Sequence, residues 1–237
     1  MGRAYEVRKA SIQKTGDKKA KLYSIYAKEV YQAAKQGGID ESTNVELKRL
    51  IDKAKKEQVP SDIVKRALDK VKSGATDDYF TLKYEIIGPE GSTLIAECLT
   101  DNPNRSISEI RKVVNKKGAK LVDQGSISYL YDTVSQIIVK GVDEDQVLEK
   151  IIEDDIEIID IKRNGNIIIY GDMKDLSKIR NSIISIKGIK FISEEIIMKS
   201  KVSLFIDESK IPDFIDLVSA LENEDDVKKV YHNVENV

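Results

Sequence analysis

Apolar residues in the first third of the chain recur at helical spacing. Leu22, Tyr26, Val30 and Ala33 lie three or four residues apart, and Gly37-Gly38 stops the run. Thr43 and Glu46 read as a T-x-x-E capping box before Leu47, Leu50, Ile51 and Ala54, which predicts a second helix. Ser61, after Pro60, opens a third, with Ile63, Val64, Ala67, Leu68 and Val71 inward and an end near Gly74. Three short amphipathic helices with short links predict a small bundle. Ahead of them, residues 2–21 have few apolar anchors and predict a poorly ordered arm that folds on a partner.

From Tyr79 the period changes from helical to alternating. Phe80, Leu82, Tyr84 and Ile86 alternate with polar residues, and Gly88-Pro89-Glu90-Gly91 turns the chain into a second strand, residues 93–99. A helix follows, with Ser106 and Glu109 as its capping box, Ile107, Ile110 and Val114 inward and Gly118 as its stop. Residues 126–131 read as a strand. A full β-α-β-β-α-β set comes next. Its strands are 137–139, 156–161, 167–170 and 189–198, its helices are capped by Asp143 and Asp172, and Asn164-Gly165-Asn166 is a hairpin signal. The tail adds one more β-α-β, with strands at 202–206 and 227–231 around Ile211, Phe214, Val218 and Leu221. A lone β-α-β leaves a sheet edge and an apolar face uncovered, and so does the unit spanning 93–131. Pairing them solves both deficits; a serial third domain is the alternative. The expected fold class is therefore α+β: an N-terminal three-helix domain followed by two ferredoxin-like α/β domains, one inserted into the other. The expected domains are residues 1–74, residues 75–132 plus 200–237, and residues 133–199.

Charge adds a functional direction. Residues 1–72 carry 18 Lys/Arg against 10 Asp/Glu, a net of +8, whereas residues 73–237 carry 21 against 31, a net of −10. A basic end on an acidic body suits a protein that grips a polyanion at one end. The candidate phosphate contacts are Arg3, Arg8, Lys9, Lys14, Lys18, Lys19 and Lys21 on the arm. On the second helix, Lys48 and Lys55 flank one side of the apolar stripe, and Arg49, Lys53 and Lys56 the other. A solvated Lys-rich face explains the same residues without a partner.

Little else in the chain offers chemistry. One cysteine, Cys98, and one histidine, His232, cannot build a Cys/His zinc site, and no G-x-S-x-G accompanies the histidine. Cys98 reads as a buried small hydrophobe and His232 as a surface residue. Gly88-Pro89-Glu90-Gly91 lacks the Gly-Lys-Ser/Thr of a phosphate-binding loop. No cofactor is assigned. With no apolar run of membrane-spanning length and no leader-like start, the expectation is a cytoplasmic protein without a membrane partner. Glu97, Asp101, Asn102, Asn104 and Arg105 gather where a strand gives way to a helix N-terminus. Asp101 and Asn102 suit the turn, Asn104 or Ser106 the cap, and Arg105 a phosphate. A divalent metal held by Glu97 and Asp101 is the competing reading.

The same stretch carries a resemblance. Tyr84-Glu85-Ile86-Ile87-Gly88-Pro89-Glu90-Gly91, then Glu97-Cys98-Leu99-Thr100-Asp101-Asn102-Pro103-Asn104-Arg105, then Gly125-Ser126-Ile127, closely resemble the YebC family. Ala33-Ala34-Lys35-Gln36-Gly37-Gly38 and Val59-Pro60-Ser61-Asp62-Ile63 match it as well. Many members open with a G-H-S-K-W-like segment, which this chain lacks. The resemblance implies a three-domain fold, helical first and then two α/β domains. It also implies a DNA-binding transcriptional regulator or a factor acting in translation, with no catalytic residues to carry over.

The expected function is a non-enzymatic, nucleic-acid-binding regulator of gene expression. Its partner would be DNA or ribosomal RNA, the latter on the ribosome. A metal-dependent nuclease and a protein-binding adaptor are the rival classes.

Overall fold

The computed structural model describes residues 2–237, with side chains described from residue 16 onward. The first helix, α1 (Gly2–Gly37), is 36 residues long. The arm expected to be poorly ordered is thus the first half of a helix. Few apolar anchors do not forbid helix in a segment rich in Ala, Lys and Arg and free of proline. Helices α2 (Val45–Lys56) and α3 (Ser61–Lys72) follow. Val30, Tyr31, Ala33 and Ala34 of α1 form one core with Leu47, Leu50, Ile51 and Ala67.

One buried asparagine joins α1 to α2. Asn44, and not Thr43, is the N-cap: its Oδ1 accepts from the Leu47 amide at 3.0 Å. Its Nδ2 donates to the carbonyls of Ala33 at 2.9 Å and Gly38 at 2.8 Å, so it also caps the end of α1. A Cβ on Gly37 would sit 2.6 Å from that Nδ2, which is why glycine stands there. Asn44→Ala removes the cap and the side-chain donor shared by two carbonyls, an expected loss of about 2 kcal/mol. Asn44→Asp keeps the cap acceptor but cannot donate. Thermal melts should rank it no better than alanine; a wild-type melting temperature for the aspartate variant would contradict this dual role.

The first sheet comprises β1 (Phe80–Ile87), β2 (Thr93–Thr100), β3 (Lys120–Val122) and β8 (Val227–His232), in the order β3-β1-β2-β8. Its helices are α4 (Pro103–Lys116) and α7 (Ile211–Asn223). The second contains β4 (Tyr131–Lys140), β5 (Asp160–Asn164), β6 (Asn166–Asp172) and β7 (Lys190–Ser200), in the order β5-β6-β4-β7, with α5 (Glu144–Glu153) and α6 (Leu176–Ile183). The two sheets share one spatial plan. From β2 the chain passes through α4 to β3 with β1 between them, as from β4 it passes through α5 to β5 with β6 between them. Likewise α7 leads into β8 as α6 leads into β7. The second sheet follows the direct order of a ferredoxin-like unit. The first reaches the same arrangement with its last helix and strand supplied after the insertion.

The chain divides into two compact units. One holds the chain up to Gln124 and returns at Ile206–Val230 and Asn236–Val237; the other holds Gly125–Phe205 and Tyr231–Glu235. The core of the second is Ile137, Val139, Val147, Ile151, Ile167, Ile169, Ile179 and Ile183.

Several strand expectations shift. Residues 126–130 are not a strand, and Tyr131 opens β4: Ser128–Leu130 is a 3-10 turn, and the third strand of the first sheet is Lys120–Val122, directly after the α4 stop at Gly118. The alternation of Ile127 and Tyr129 misled because a period of two also fits a turn that buries one side chain, here Ile127. Ile156 and Ile158 pack on the second core ahead of β5 without belonging to it. Residues 202–206 contribute only an isolated parallel bridge, Leu204 to Val234. Asn164 and Asn166 do pair across a hairpin, with Gly165 at φ +67°.

Candidate nucleic-acid interface

The basic residues of the segment 1–72 fall into three groups. Arg3, Arg8, Lys9 and Lys14 lie on α1, but their side chains are outside the described residues. Lys18, Lys19, Lys48 and Lys65 are exposed and have no ion-pair partner among the described residues. The rest are engaged within the protein. On α2, Arg49 holds Glu46 at 2.6 Å, Lys55 meets Asp52 at 3.5 Å and Lys53 meets Glu57 at 4.0 Å, while exposed Lys56 also interacts within the protein. Such exposed pairs are worth about 0.3–0.5 kcal/mol and yield readily to a phosphate. Lys21 differs. Half-buried, it donates to the Glu222 carbonyl, and burial pulls its ammonium below the ordinary lysine range despite nearby Asp225 and Glu222.

Helices α2 and α3 are separated by four residues, the spacing of a helix-turn-helix. The exposed surface of α3 is Ser61, Asp62, Lys65, Arg66, Asp69, Lys70 and Lys72, with Arg66 bound to Asp62 at 2.6 Å and Lys72 to Asp69 at 3.4 Å. It carries no Asn or Gln for bidentate reading of adenine. This surface can meet a phosphate backbone; it has little with which to read a sequence.

The loop 101–105 has another occupation. Asn102 is the N-cap of α4, its Oδ1 accepting from the Arg105 amide at 3.1 Å, and Pro103 occupies the first turn. Neither Asn104 nor Ser106 caps, because the helix starts four residues earlier than the S-x-x-E pattern indicates. The Arg105 guanidinium lies 2.8 Å from Asp101 and 3.1 Å from Asp226. Asp226 is the centre of this cluster. It also accepts from Lys28 Nζ at 2.9 Å and Thr100 Oγ1 at 2.9 Å, with side-chain exposures of 11% for Asp226 and 15% for Lys28. Burial alone would raise its carboxyl; the donors Lys28, Thr100 and Arg105 outweigh burial and hold it below the usual carboxylate range. A second cluster lies beside it: Lys228 binds Glu29 at 2.7 Å and Glu97 at 3.2 Å. Helix α1, the loop after β2 and the returning C-terminal segment are thus tied together by charge. Lys28, Glu29, Asp226 and Lys228 escaped the sequence reading because each sits in an ordinary charged run.

These contacts also place the two carboxylates of the metal reading. Glu97 faces Lys228 and Asp101 faces Arg105, each already matched to a cation. Cys98 is fully buried, and burial pushes its thiol up to about 12, far from a reactive thiolate. His232, expected at the surface, is half-buried on β8. No described helix is long and apolar enough to cross a membrane.

Comparisons with known proteins agree with this architecture. The model described as TACO1/YebC protein N-terminal domain matches residues 3–74, and that described as TACO1/YebC second and third domain matches residues 79–234. A probable transcriptional regulatory protein of Alteromonas mediterranea is 40% identical over 98% of this chain and 98% of its own. One from Acholeplasma laidlawii is 42% identical over 99% and 98%. The crystal structure of a conserved hypothetical protein from Aquifex aeolicus superposes with a TM-score of 0.79 at 31% identity, covering 91% of this chain and 90% of that one. The names of the relatives support a regulatory role. Matched by both models and by relatives of equal length, the chain belongs to the TACO1/YebC family.

Proposed function

We propose that this chain is a non-enzymatic regulator of gene expression that binds nucleic acid through its helical N-terminal segment. The observation that carries the reading is the division of charge: +8 on residues 1–72 against −10 on the remainder. Lys18, Lys19, Lys48 and Lys65 stand exposed on the basic side, and the weak helical pairs of α2 can exchange their carboxylates for phosphates. The names of the relatives favour transcription, for which DNA would be the partner. The surface of α3, alternating in sign and without Asn or Gln, favours a second reading: a factor that holds structured RNA, as on the ribosome, by shape and phosphate.

The test is binding to duplex DNA and to a ribosomal RNA hairpin across a salt series. Replacing Lys48, Arg49, Lys55 and Lys56 together by Ala should weaken binding to every sequence. It should also flatten the dependence on log salt by about 0.7–0.9 for each phosphate that the variant no longer neutralises. An unchanged affinity and slope would refute the proposed interface. Preference for the hairpin over the duplex at equal salt decides between the two readings.

A further inference from the structure

The first sheet has an unfinished edge. β1 pairs with β2 along its whole length, from Phe80 to Ile87. On its other side β3 reaches only Glu85, Ile86 and Ile87. Within residues 80–84, Thr81 and Lys83 therefore present backbone N–H and C=O groups with no strand beside them among the described residues. The edge forms one wall of a groove of about 590 Å³, with α4 and the end of β3 completing it. Leu82, Tyr84 and Ile107 give the groove an apolar lining. Lys83, Arg111 and Lys120 surround it, all exposed and without ion-pair partners among the described residues. The only exposed carboxylate among its lining residues is Asp123. A lone edge lysine is a common guard against strand pairing. Here three cations arise from three separate elements, which is more than guarding an edge requires.

We propose that this groove docks an acidic, extended peptide segment of a partner protein, which adds as a strand along residues 80–84 in line with β3. Main-chain hydrogen bonds would supply the ladder, the apolar lining would take alternate side chains, and Lys83, Arg111 and Lys120 would select carboxylates. A nucleic acid could use the three cations but not the row of alternating backbone donors and acceptors, so a peptide fits the whole feature. The site uses none of the cations assigned to the nucleic-acid interface and stands or falls independently of it.

The experiment uses the full-length chain and a fluorescent peptide alternating Glu with Val, read by anisotropy. A peptide alternating Lys with Val, an acidic peptide N-methylated on alternate amides, and single-stranded oligothymidine serve as comparisons. The acidic peptide should bind best, and N-methylation should weaken it about tenfold or more through loss of the ladder. Arg111→Glu with Lys120→Glu should weaken it by about tenfold. These exposed positions should leave the melting temperature unchanged. Amide exchange at Thr81 and Lys83, whose N–H groups face the open edge, should slow when the acidic peptide is present. Equal binding of the N-methylated peptide, no effect of charge reversal, or oligothymidine displacing the peptide from this groove would each overturn the proposal.

Discussion

A chain ending at Phe205 should lose the first sheet as a folded element. The segment it lacks supplies β8 beside β2 and the helix α7, whose Phe214, Leu217 and Leu221 are 1%, 0% and 0% exposed. Val227 and Val230 are buried with them. Five such side chains together stabilise by about 10 kcal/mol on area grounds, comparable with the whole net stability of a domain. The truncation also strands Lys28 and Arg105 without Asp226. The second sheet has its own core of isoleucines and valines and should keep a cooperative transition. Hydrogen exchange read by mass spectrometry separates the two outcomes. Peptides covering β1 and β2 should exchange at near-unfolded rates, while those covering β4 and β6 stay protected. Protected β1 and β2 in the shortened chain would disprove the dependence of the first sheet on the C-terminal return.

Asp226→Ala should be the most damaging single substitution in the charged cluster. It removes the acceptor shared by Lys28, Thr100 and Arg105 and leaves the largely buried Lys28 ammonium with only the Leu99 carbonyl at 3.0 Å. Removing one partner of a buried pair costs about 3–5 kcal/mol; because Arg105 is half exposed and can rehydrate, a loss of about 2–3 kcal/mol is expected. Asp226→Asn should recover little, since the amide keeps the shape but not the charge. The effect carries its own pH signature. The Asp226 carboxyl is lowered in the folded chain, so its stabilisation is complete above the ordinary carboxylate pKa and fades as pH falls through the lowered folded value. Urea titrations should therefore show wild type and Asp226→Ala differing most near neutrality and converging in acid. A difference that stays constant with pH would mean that Asp226 acts through packing alone.

The sequence by itself determined the change from a helical first third to mixed α/β units after it. Helical spacing at Leu22, Tyr26, Val30 and Ala33 and alternation at Phe80, Leu82, Tyr84 and Ile86 are local signals, fixed by which face each side chain must bury. The hairpin at Asn164-Gly165-Asn166 is likewise local, because only a left-handed residue closes it. The deficit of two incomplete β-α-β units also pointed to the return of the C-terminal strand. The sheet order β3-β1-β2-β8 makes that return explicit. The motifs around Pro89 and Asn102 were enough to indicate the family.

Tertiary structure decided what depends on partners distant along the chain. Helix caps moved to Asn44 and Asn102 because capping is settled by which side chain reaches free amides, and several candidates lay within a few residues. β3 was missed because three residues carry too short a pattern to register, and pairing with β1 is what makes them a strand. Arg105 looked like a phosphate ligand from its neighbours in sequence. Its strongest partner besides Asp101 is Asp226, 121 residues away. Which lysines are free and which are spent was equally invisible. Lys21 and Lys48 are alike in sequence, yet one is drawn to a C-terminal carbonyl and the other faces solvent. Charge along the chain could announce a basic end. Only the packing of α1 against the returning C-terminal segment decided which of its charges remain exposed.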